Sequence, residues 1–109
     1  MDNNDLNAET EWIQRCRRGE KEAFGLLVNK YMKQAYYTAL GFLGSHDDAL
    51  DASQEAFARA FKAIHSFQHG KRFYTWYYRI LKNHCLNILR SKRRAPVSLT
   101  ALLEEDSDV

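Results

Sequence analysis

One stretch of the chain, residues 71–94, decides the fold and raises the first question about function: KRFYTWYYRILKNHCLNILRSKRR. It holds eight cations and no acid, and five of its first eight residues are aromatic. Apolar residues recur in it at the spacing of one helical face, which predicts a helix from about Phe73 to Ser91. The stripe that this helix should bury consists of Trp76, Tyr77, Ile80, Leu81, His84 and Ile88.

The opposite face of this helix is mainly polar and basic, and its residues are Thr75, Arg79, Lys82, Asn83, Leu86 and Arg90, with Tyr78 at the edge. Arg and Lys can neutralise phosphates, and Asn can reach base edges. Tyr74 and Tyr78 cannot both join Trp76 and Tyr77 in one narrow seam, so at least one ring should meet solvent or a partner. Rings beside cations suit single-stranded nucleic acid, because bases stack on the rings. Spacing alone leaves a second interpretation open, with core rings and a solvated basic face.

Charge is distributed unevenly along the chain, although the net charge is only +2. No Asp or Glu occurs from Ala56 to Leu103, where all the cations of the opening stretch lie. Acidic residues collect on either side, the nearest being Asp47, Asp48, Asp51, Glu55, Glu104 and Glu105. The asymmetry predicts two different partners, and the basic half indicates nucleic acid.

The rest of the chain also has helical periodicity, so we predict an all-α fold, a compact bundle of about four helices. The first helix should run from about Ala8 to Arg18. The second carries one continuous apolar stripe, from Phe24 to Leu40, which Gly41 and Gly44 should close. A single proline, Pro96, precedes a tail with an acidic end, which we interpret as a linker or a frayed short helix.

The third helix should begin at Ser45, a good N-cap, with Asp48 three residues on in an acidic variant of the capping box. Its apolar side carries Leu50, Phe57, Phe61 and Ile64, and residues 65–70 should form a loop that ends in glycine.

Gln54 falls between Leu50 and Phe57, on the side of this helix that we predict to be apolar. A buried amide without partners costs about 1–3 kcal/mol, so Gln54 should be satisfied locally or paired with another chain. Asp51 and Glu55 flank it. The alternative is a solubilising face in which Glu55 pairs with Arg59, four residues on, for a few tenths of a kcal/mol.

Several classes of protein do not fit the composition. The chain of 109 residues suits one domain, no apolar run approaches the ~20 residues of a membrane span, and the acidic N-terminus is unlike a signal peptide. We therefore expect a cytoplasmic protein without membrane insertion. Cys16 and Cys85 share no metal-type spacing and should be reduced thiols. The four histidines form no recognisable ligand set, and no catalytic triad or carboxylate pair stands out, so we expect neither an enzyme nor a cofactor.

Two segments together resemble a known family: DASQEAFARAF, residues 51–61, and FQHGKRFYTWYYRILKNHCLNILRSKRR, residues 67–94. The first has the acid, Gln-Glu, aromatic and Arg pattern of region 2 of bacterial sigma factors of the extracytoplasmic-function (ECF) group, at Asp51, Gln54, Glu55, Phe57 and Arg59. The second matches that family's longer pattern at Phe73, Thr75, Trp76, Tyr78, Arg79, Ile80 and Asn83. The resemblance runs from about Phe24 to Arg94, and the two motifs keep their mutual distance.

The resemblance implies a sigma factor domain that docks on core RNA polymerase and recognises and melts the promoter minus-ten element. The third helix would bind the beta-prime clamp helices, and the residues implied there are Asp48, Asp51, Gln54, Glu55, Phe57, Arg59 and Phe61. The loop at residues 66–72 would capture a flipped base of the non-template strand. The DNA-binding residues implied are Phe67, Gln68, His69, Lys71, Arg72, Tyr74, Tyr78, Arg79, Lys82, Asn83, Asn87 and Arg90.

Some positions depart from the family pattern. The loop is usually richer in Asp, Gly and Ser, so the promoter sequence does not follow from it. Asn87 stands where many relatives carry Asp, and Tyr74 where many carry Arg. Residues 1–94 would form the region 2 domain and residues 95–109 an interdomain linker or tail. If the resemblance holds, the helix-turn-helix domain that follows in the family would be absent from this chain.

Two other functions remain open from the sequence. A generic helical DNA-binding module of a transcriptional regulator would use the basic helix but would have no need of Gln54 or Glu55. An interaction domain covered by an inhibitory partner would hide the aromatic and basic surface. Sigma factors of this group commonly have anti-sigma partners. The covered interaction domain would then be a resting state of the same sigma factor domain.

Overall fold

The computed structural model describes residues 3–68 and 70–94. The described chain forms α1 (Asn3–Arg17), α2 (Lys21–Leu43), α3 (His46–Lys62), a 3₁₀ turn (Ile64–Ser66) and α4 (Phe73–Arg94). No strand occurs within these ranges. The predicted all-α bundle of about four helices is confirmed, with α1 beginning earlier and α4 ending later than predicted. The predicted linker or tail at residues 95–109 lies outside the described residues.

The turn between α2 and α3 follows the local signals in the sequence. Gly44 ends α2 with φ +71°, a left-handed conformation that favours glycine, and its N–H donates to Leu40 O at 2.8 Å. Gly41 does not end the helix as predicted, because α2 continues through it to Leu43. Ser45 then caps α3, and its Oγ accepts a hydrogen bond of 3.3 Å from the Asp48 N–H. The predicted cap is confirmed.

The buried face of α3 is built mostly from small residues: Ala49, Ala52, Ser53, Ala56, Phe57 and Ala60. Side chains this short allow neighbouring helices to approach the α3 backbone closely. Gln54 is exposed, so the prediction that it lies on the buried side is wrong. The prediction assigned the large apolar residues of α3 to the buried face, whereas most residues on that face are alanines. Leu50, one of those markers, remains 36% exposed.

Helix α4 buries large residues against α2 and α3. Phe73, Tyr77, Leu81 and Cys85 are fully covered, and the other residues of the predicted stripe, Trp76, Ile80, His84 and Ile88, are half-buried. The centre of the buried face is therefore rotated from the predicted one. The Tyr77 ring stacks on Phe57 with centroids 4.1 Å apart, and its hydroxyl donates to Ser53 O at 2.9 Å. Burial raises the pKa of Tyr77 well above its ordinary value.

Helix α1 is held to α2 by a buried carboxylate. Glu9 is 1% exposed, and its Oε2 accepts hydrogen bonds from Lys30 Nζ at 2.5 Å and from the Tyr31 hydroxyl. The Lys30 ammonium also lies 5.9 Å from the centroid of the Trp12 ring, a cation–π distance. Removing Lys30 would leave the buried Glu9 carboxylate without its charged partner, so this cluster helps to fix where α1 lies.

The described part of the chain contains neither a helix that could span a membrane nor a cluster of metal ligands. None of its helices combines the length and the apolar character that a membrane crossing requires. No group of three or more His, Cys, Asp and Glu side chains within it is arranged to hold a metal ion. Cys16 and Cys85 are buried free thiols, and burial raises the pKa of both.

Candidate nucleic-acid interface

The outward face of α4 is polar, and the helix contains no Asp or Glu. Residues predicted to contact DNA lie along it: Tyr78, Arg79, Asn83, Asn87 and Arg90 are exposed, and Lys82 is half-buried. The Arg90 guanidinium donates to Asn87 Oδ1 at 3.2 Å, which orients both side chains on the surface. Because positive charge on this face has no acid on its own helix to balance it, an anionic ligand would be attracted there.

An open cleft of about 560 Å³ lies between the loop after the 3₁₀ turn and the first two turns of α4. Its lining residues are Ser66, Phe67, Gln68, Gly70, Lys71, Arg72, Thr75, Trp76 and Arg79. The cleft thus brings together five of the residues predicted for DNA binding, from both the loop and the helix. His69, which was also predicted, lies outside the described residues.

The loop beside the cleft turns sharply. The Lys71 N–H donates to Gln68 O at 3.4 Å, and Gly70 has φ +81°, a left-handed backbone that other residues adopt only with strain. The glycine that marked this segment as a loop in the sequence therefore has a defined conformational role. The turn places the cations Lys71 and Arg72 on the rim of the cleft.

The aromatic wall of the cleft is fixed from below. Phe67 is only 4% exposed, and its ring lies 5.3 Å from Trp76 and 6.3 Å from Phe73 between centroids. Phe67 was predicted as a DNA contact; these two rings cover most of it, it also lines the cleft, and its contact with DNA stays a prediction. Trp76 was predicted to be buried, but it is half-buried and lines the cleft. Trp76 is therefore the more exposed of the two rings.

Tyr74 and Tyr78 differ in exposure. The Tyr74 ring lies 5.2 Å from that of Tyr31 on α2, and its hydroxyl shares a hydrogen bond of 2.9 Å with Thr38 Oγ1. Since Thr38 Oγ1 donates to Gln34 O at 2.9 Å, Tyr74 is the donor to Thr38. Burial raises the pKa of Tyr74. Tyr74 is thus half-covered by α2, whereas Tyr78 is 37% exposed, and the predicted contact of Tyr74 with DNA stays a prediction.

A second candidate surface lies on α3. Four of the residues predicted to bind RNA polymerase, Asp51, Gln54, Glu55 and Arg59, are exposed on it together with Leu50. Glu55 Oε1 accepts from Arg59 Nε at 3.4 Å, the predicted pairing across one helical turn. The pair is exposed and therefore adds little stability. An acidic surface of this kind attracts a protein partner that presents basic groups.

Three other residues predicted for the polymerase surface have different surroundings. Phe57 is 3% exposed and stacked on Tyr77, so it supports the α3 surface from inside and cannot contact a partner. Phe61 is half-buried, with its ring 5.2 Å from that of Phe24. Asp48 Oδ2 pairs with Lys92 Nζ at 2.9 Å and so connects the start of α3 to the last turn of α4.

His84 lies where α4 meets the exposed surface of α3. Burial, and then the positive charge of Arg59, lower its pKa below the ordinary value, and the Glu55 carboxylate opposes them. The neutral imidazole is therefore the form that the fold favours.

Sequence reasoning missed one residue that reaches the loop from a distance. Arg17 on α1 contacts the main chain at Ile64 and Phe67, 47 and 50 residues away. Nothing local in the sequence signals such a contact, because it depends on how α1 packs beside the 3₁₀ turn.

Comparisons with known proteins agree with this architecture. The family model "Sigma-70 region 2" matches residues 27–95. The RNA polymerase sigma-H factor of Pseudomonas aeruginosa is 38% identical over 88 residues, which cover 81% of this chain and 46% of that protein. The ECF RNA polymerase sigma-E factor of Escherichia coli K12 is 37% identical over 86 residues, 79% of this chain and 44% of the relative. The chain spans about half the length of these curated relatives.

A solved structure is similar as well. It is an NMR structure of an engineered region 2 of sigmaE in complex with GTAAAA, with a TM-score of 0.74 and 33% sequence identity. The match covers 81% of this chain and 92% of that one. The chain therefore belongs to the Sigma-70 region 2 family, of the ECF type that its two sequence motifs indicated.

Proposed function

We propose that this chain recognises and opens the promoter minus-ten element while α3 holds it on core RNA polymerase, in the bacterial cytoplasm. The observation that carries the proposal is the open cleft beside the basic face of α4. Its volume of about 560 Å³ falls within the range of ~300–1,000 Å³ typical of small-ligand pockets, which leaves room for one extruded nucleotide.

The cleft offers two kinds of contact to such a nucleotide. The half-buried Trp76 presents ring surface on which a base can stack, for ~1–3 kcal/mol. Lys71, Arg72 and Arg79 on the rim supply cations for the adjoining phosphates. The neighbouring structure of an engineered sigmaE region 2 with GTAAAA supports a single strand of DNA as the ligand of this surface.

The mechanism relies on binding energy rather than covalent chemistry. Extruding a base from duplex DNA costs a few kcal/mol, and stacking in the cleft offsets part of that cost. Tyr78, Lys82 and Asn83 continue the surface along α4 and would hold the strand or the duplex edge beside the extruded base. Captured bases then shift the equilibrium from the closed towards the open promoter.

The exposed surface of α3 would supply the attachment to polymerase. Asp51, Gln54 and Glu55 present carboxylates and an amide to the beta-prime clamp helices, around the partly exposed Leu50. A DNA-binding module that acted alone would have no use for this surface. In the resting state, an anti-sigma partner would cover the aromatic and basic surface, on which Tyr78 is exposed.

The experiment compares single-stranded GTAAAA with the same sequence in a duplex, by fluorescence anisotropy. The wild-type chain should prefer the single strand, and Tyr78→Ala should weaken single-strand binding about fivefold or more, with less effect on the duplex. Tyr37→Ala, at a residue on α2 that is 58% exposed, is the matched control and should leave both affinities unchanged. Equal losses on both DNA forms would contradict a melting role.

The attachment to polymerase is tested separately by calorimetry with a beta-prime clamp-helix fragment. The double variant Gln54→Ala/Glu55→Lys should abolish binding, whereas Lys82→Ala on the DNA face should leave it unchanged. Lys82→Ala should instead lower the slope of log binding constant against log salt concentration by about one, the change expected for one lost phosphate contact. A folded wild-type chain that does not bind the fragment would leave only a DNA-binding module.

A further inference from the structure

The main chain that leads into the cleft is held by a side chain that lies 47 and 50 residues earlier in the sequence than the atoms it contacts. Arg17 lies in the last turn of α1, and its Nη2 donates to Phe67 O while its Nε donates to Ile64 O at 3.4 Å. Ile64 begins the 3₁₀ turn, and Phe67 follows it directly. One guanidinium thus contacts the main chain at both ends of the turn that leads into the cleft.

These contacts suit the chemistry of both partners. A carbonyl oxygen has two lone pairs, so Ile64 O can accept from Arg17 as well as from the Phe67 N–H within the turn. A guanidinium is a planar fork of donors that can bond two acceptors at once, which an ammonium on a flexible stem does less well. Arg17 therefore restrains the path of the main chain as well as adding charge.

The restraint acts on the residues that shape the cleft. Phe67 is fixed on two sides, with its carbonyl held by Arg17 and its ring covered by Phe73 and Trp76. Its sequence neighbours Ser66 and Gln68 both line the cleft. A shift of the main chain at Phe67 would move these two side chains and the floor under Trp76 together.

We propose that Arg17 is a positioning residue for base capture, and that α1 is thereby part of the recognition site. The inference rests on the proposed function of the cleft. Arg17 precedes residues 27–95, the segment that the family model matches. Without it, the loop would be less ordered in the free protein, and its ordering would oppose the binding of a base. With it, the cleft is preformed.

The test uses single-stranded GTAAAA and six copies of it that each carry one abasic site. The abasic penalty, the ratio of the two dissociation constants, isolates the contribution of each base from that of the phosphates. We compare the wild type with Arg17→Ala and Arg17→Lys. Arg18→Ala is the matched control, because Arg18 is the next residue, carries the same charge, is 62% exposed and places its guanidinium 3.9 Å from Glu20.

In the wild type, at least one abasic site should weaken binding about fivefold or more. Arg17→Ala should weaken binding of the intact strand about fivefold more than binding of the weakest abasic strand, so that the penalty falls towards one. Arg17→Lys keeps the charge and should show a smaller loss of the same kind. Arg18→Ala should lower all affinities alike, by about threefold or less, because it removes only a charge.

Amide hydrogen exchange provides a second measurement that does not involve DNA. The Ser66 and Phe67 amides donate to Ala63 O at 2.8 Å and to Ile64 O at 3.2 Å, so both should be protected. Arg17→Ala, and to a lesser degree Arg17→Lys, should speed their exchange about tenfold while amides inside α4 keep wild-type rates. Arg18→Ala should leave both sets unchanged.

The outcomes separate the two proposals. A wild-type chain that shows no abasic penalty would contradict the proposed function of the cleft. A wild-type penalty that both Arg17 variants retain, with unchanged exchange at Ser66 and Phe67, would overturn the role of Arg17 alone. Equal losses on intact and abasic strands would also overturn it, because Arg17 would then contribute charge and not position. If Arg17→Ala does not fold, the Arg17→Lys comparison decides.

Discussion

Helices α3 and α4 pack against each other with opposite kinds of side chain. Four alanines lie on the buried face of α3, whereas α4 buries Phe73, Tyr77 and Leu81. Each helix also presents one surface that we assign to a partner, acidic on α3 and basic on α4. Helix α3 thus places its partner surface by close backbone approach, and α4 does so by interlocking rings. Mutations at each of these contacts should have different effects on stability.

Replacing Tyr77 with alanine should destabilise the fold by about 3–5 kcal/mol, because the change leaves a cavity beside Phe57 and removes the hydrogen bond to Ser53 O. Chemical denaturation gives the free energy of unfolding. Tyr77→Phe separates the two contributions and should lose only about 1 kcal/mol. A loss below about 1.5 kcal/mol for Tyr77→Ala would show that the rings do not hold α4 in place.

Enlarging a buried alanine of α3 should also destabilise the fold, by about 1–3 kcal/mol, through overpacking. Ala56→Leu is the test, because Ala56 is 0% exposed. Ala58→Leu, two residues on and exposed, adds the same atoms outside the core and should change the free energy of unfolding by less than about 0.5 kcal/mol. Equal effects of the two changes would contradict a close approach at the alanine face.

The ion pair between Asp48 and Lys92 joins the start of α3 to the end of α4, with side chains 41% and 58% exposed. Because solvent screens such pairs, Lys92→Ala should lower the free energy of unfolding by no more than about 1 kcal/mol. A double-mutant cycle with Asp48→Ala measures the coupling. The coupling should shrink further in 0.5 M salt, and a coupling that salt leaves intact would indicate a less exposed pair.

Acidification should weaken the α3–α4 contact through His84. Burial and Arg59 lower its folded-state pKa, so below its unfolded pKa of about 6.5 the unfolded chain binds more protons than the folded one. This contribution to the free energy of unfolding is therefore complete above that pH and falls as the pH drops through it. Denaturation between pH 7.5 and 5.5 should show a smaller decline in His84→Gln, and identical declines would exclude His84 as a cause.

Local signals in the sequence predicted the fold well. The apolar stripe of α2, the Ser45 cap and the all-α class follow from residues a few positions apart, and the structure confirms them. The surface residues of α4, Arg79 and Asn83 among them, were predicted to be exposed for the same reason, since one helical period fixes their direction.

The prediction of the site was less accurate where burial depends on distant partners. Gln54 was placed on the wrong side of α3 because Leu50 was taken as a core residue and the alanines were not. Phe67 is more buried and Trp76 less buried than predicted, because rings from two segments decide which of them is covered. Arg17 could not be found at all, because its acceptors lie 47 and 50 residues away. These errors share one cause, which is that a helical period is local and the packing of a loop is not.

The alanine face of α3 bears on how such a domain can acquire new partners. A buried alanine contributes no atom beyond Cβ, so the side chains on the outer surface of the same helix share little packing with those inside it. Substitutions at Asp51, Gln54 or Glu55 should therefore be mutationally tolerated by the fold, while substitutions at Ala52 or Ala56 should not. The outer face of α3 can therefore acquire substitutions that change its partner, while the inner face keeps the domain folded. The choice of partner on the outer surface can change while the inner surface keeps the helix packed in the same position.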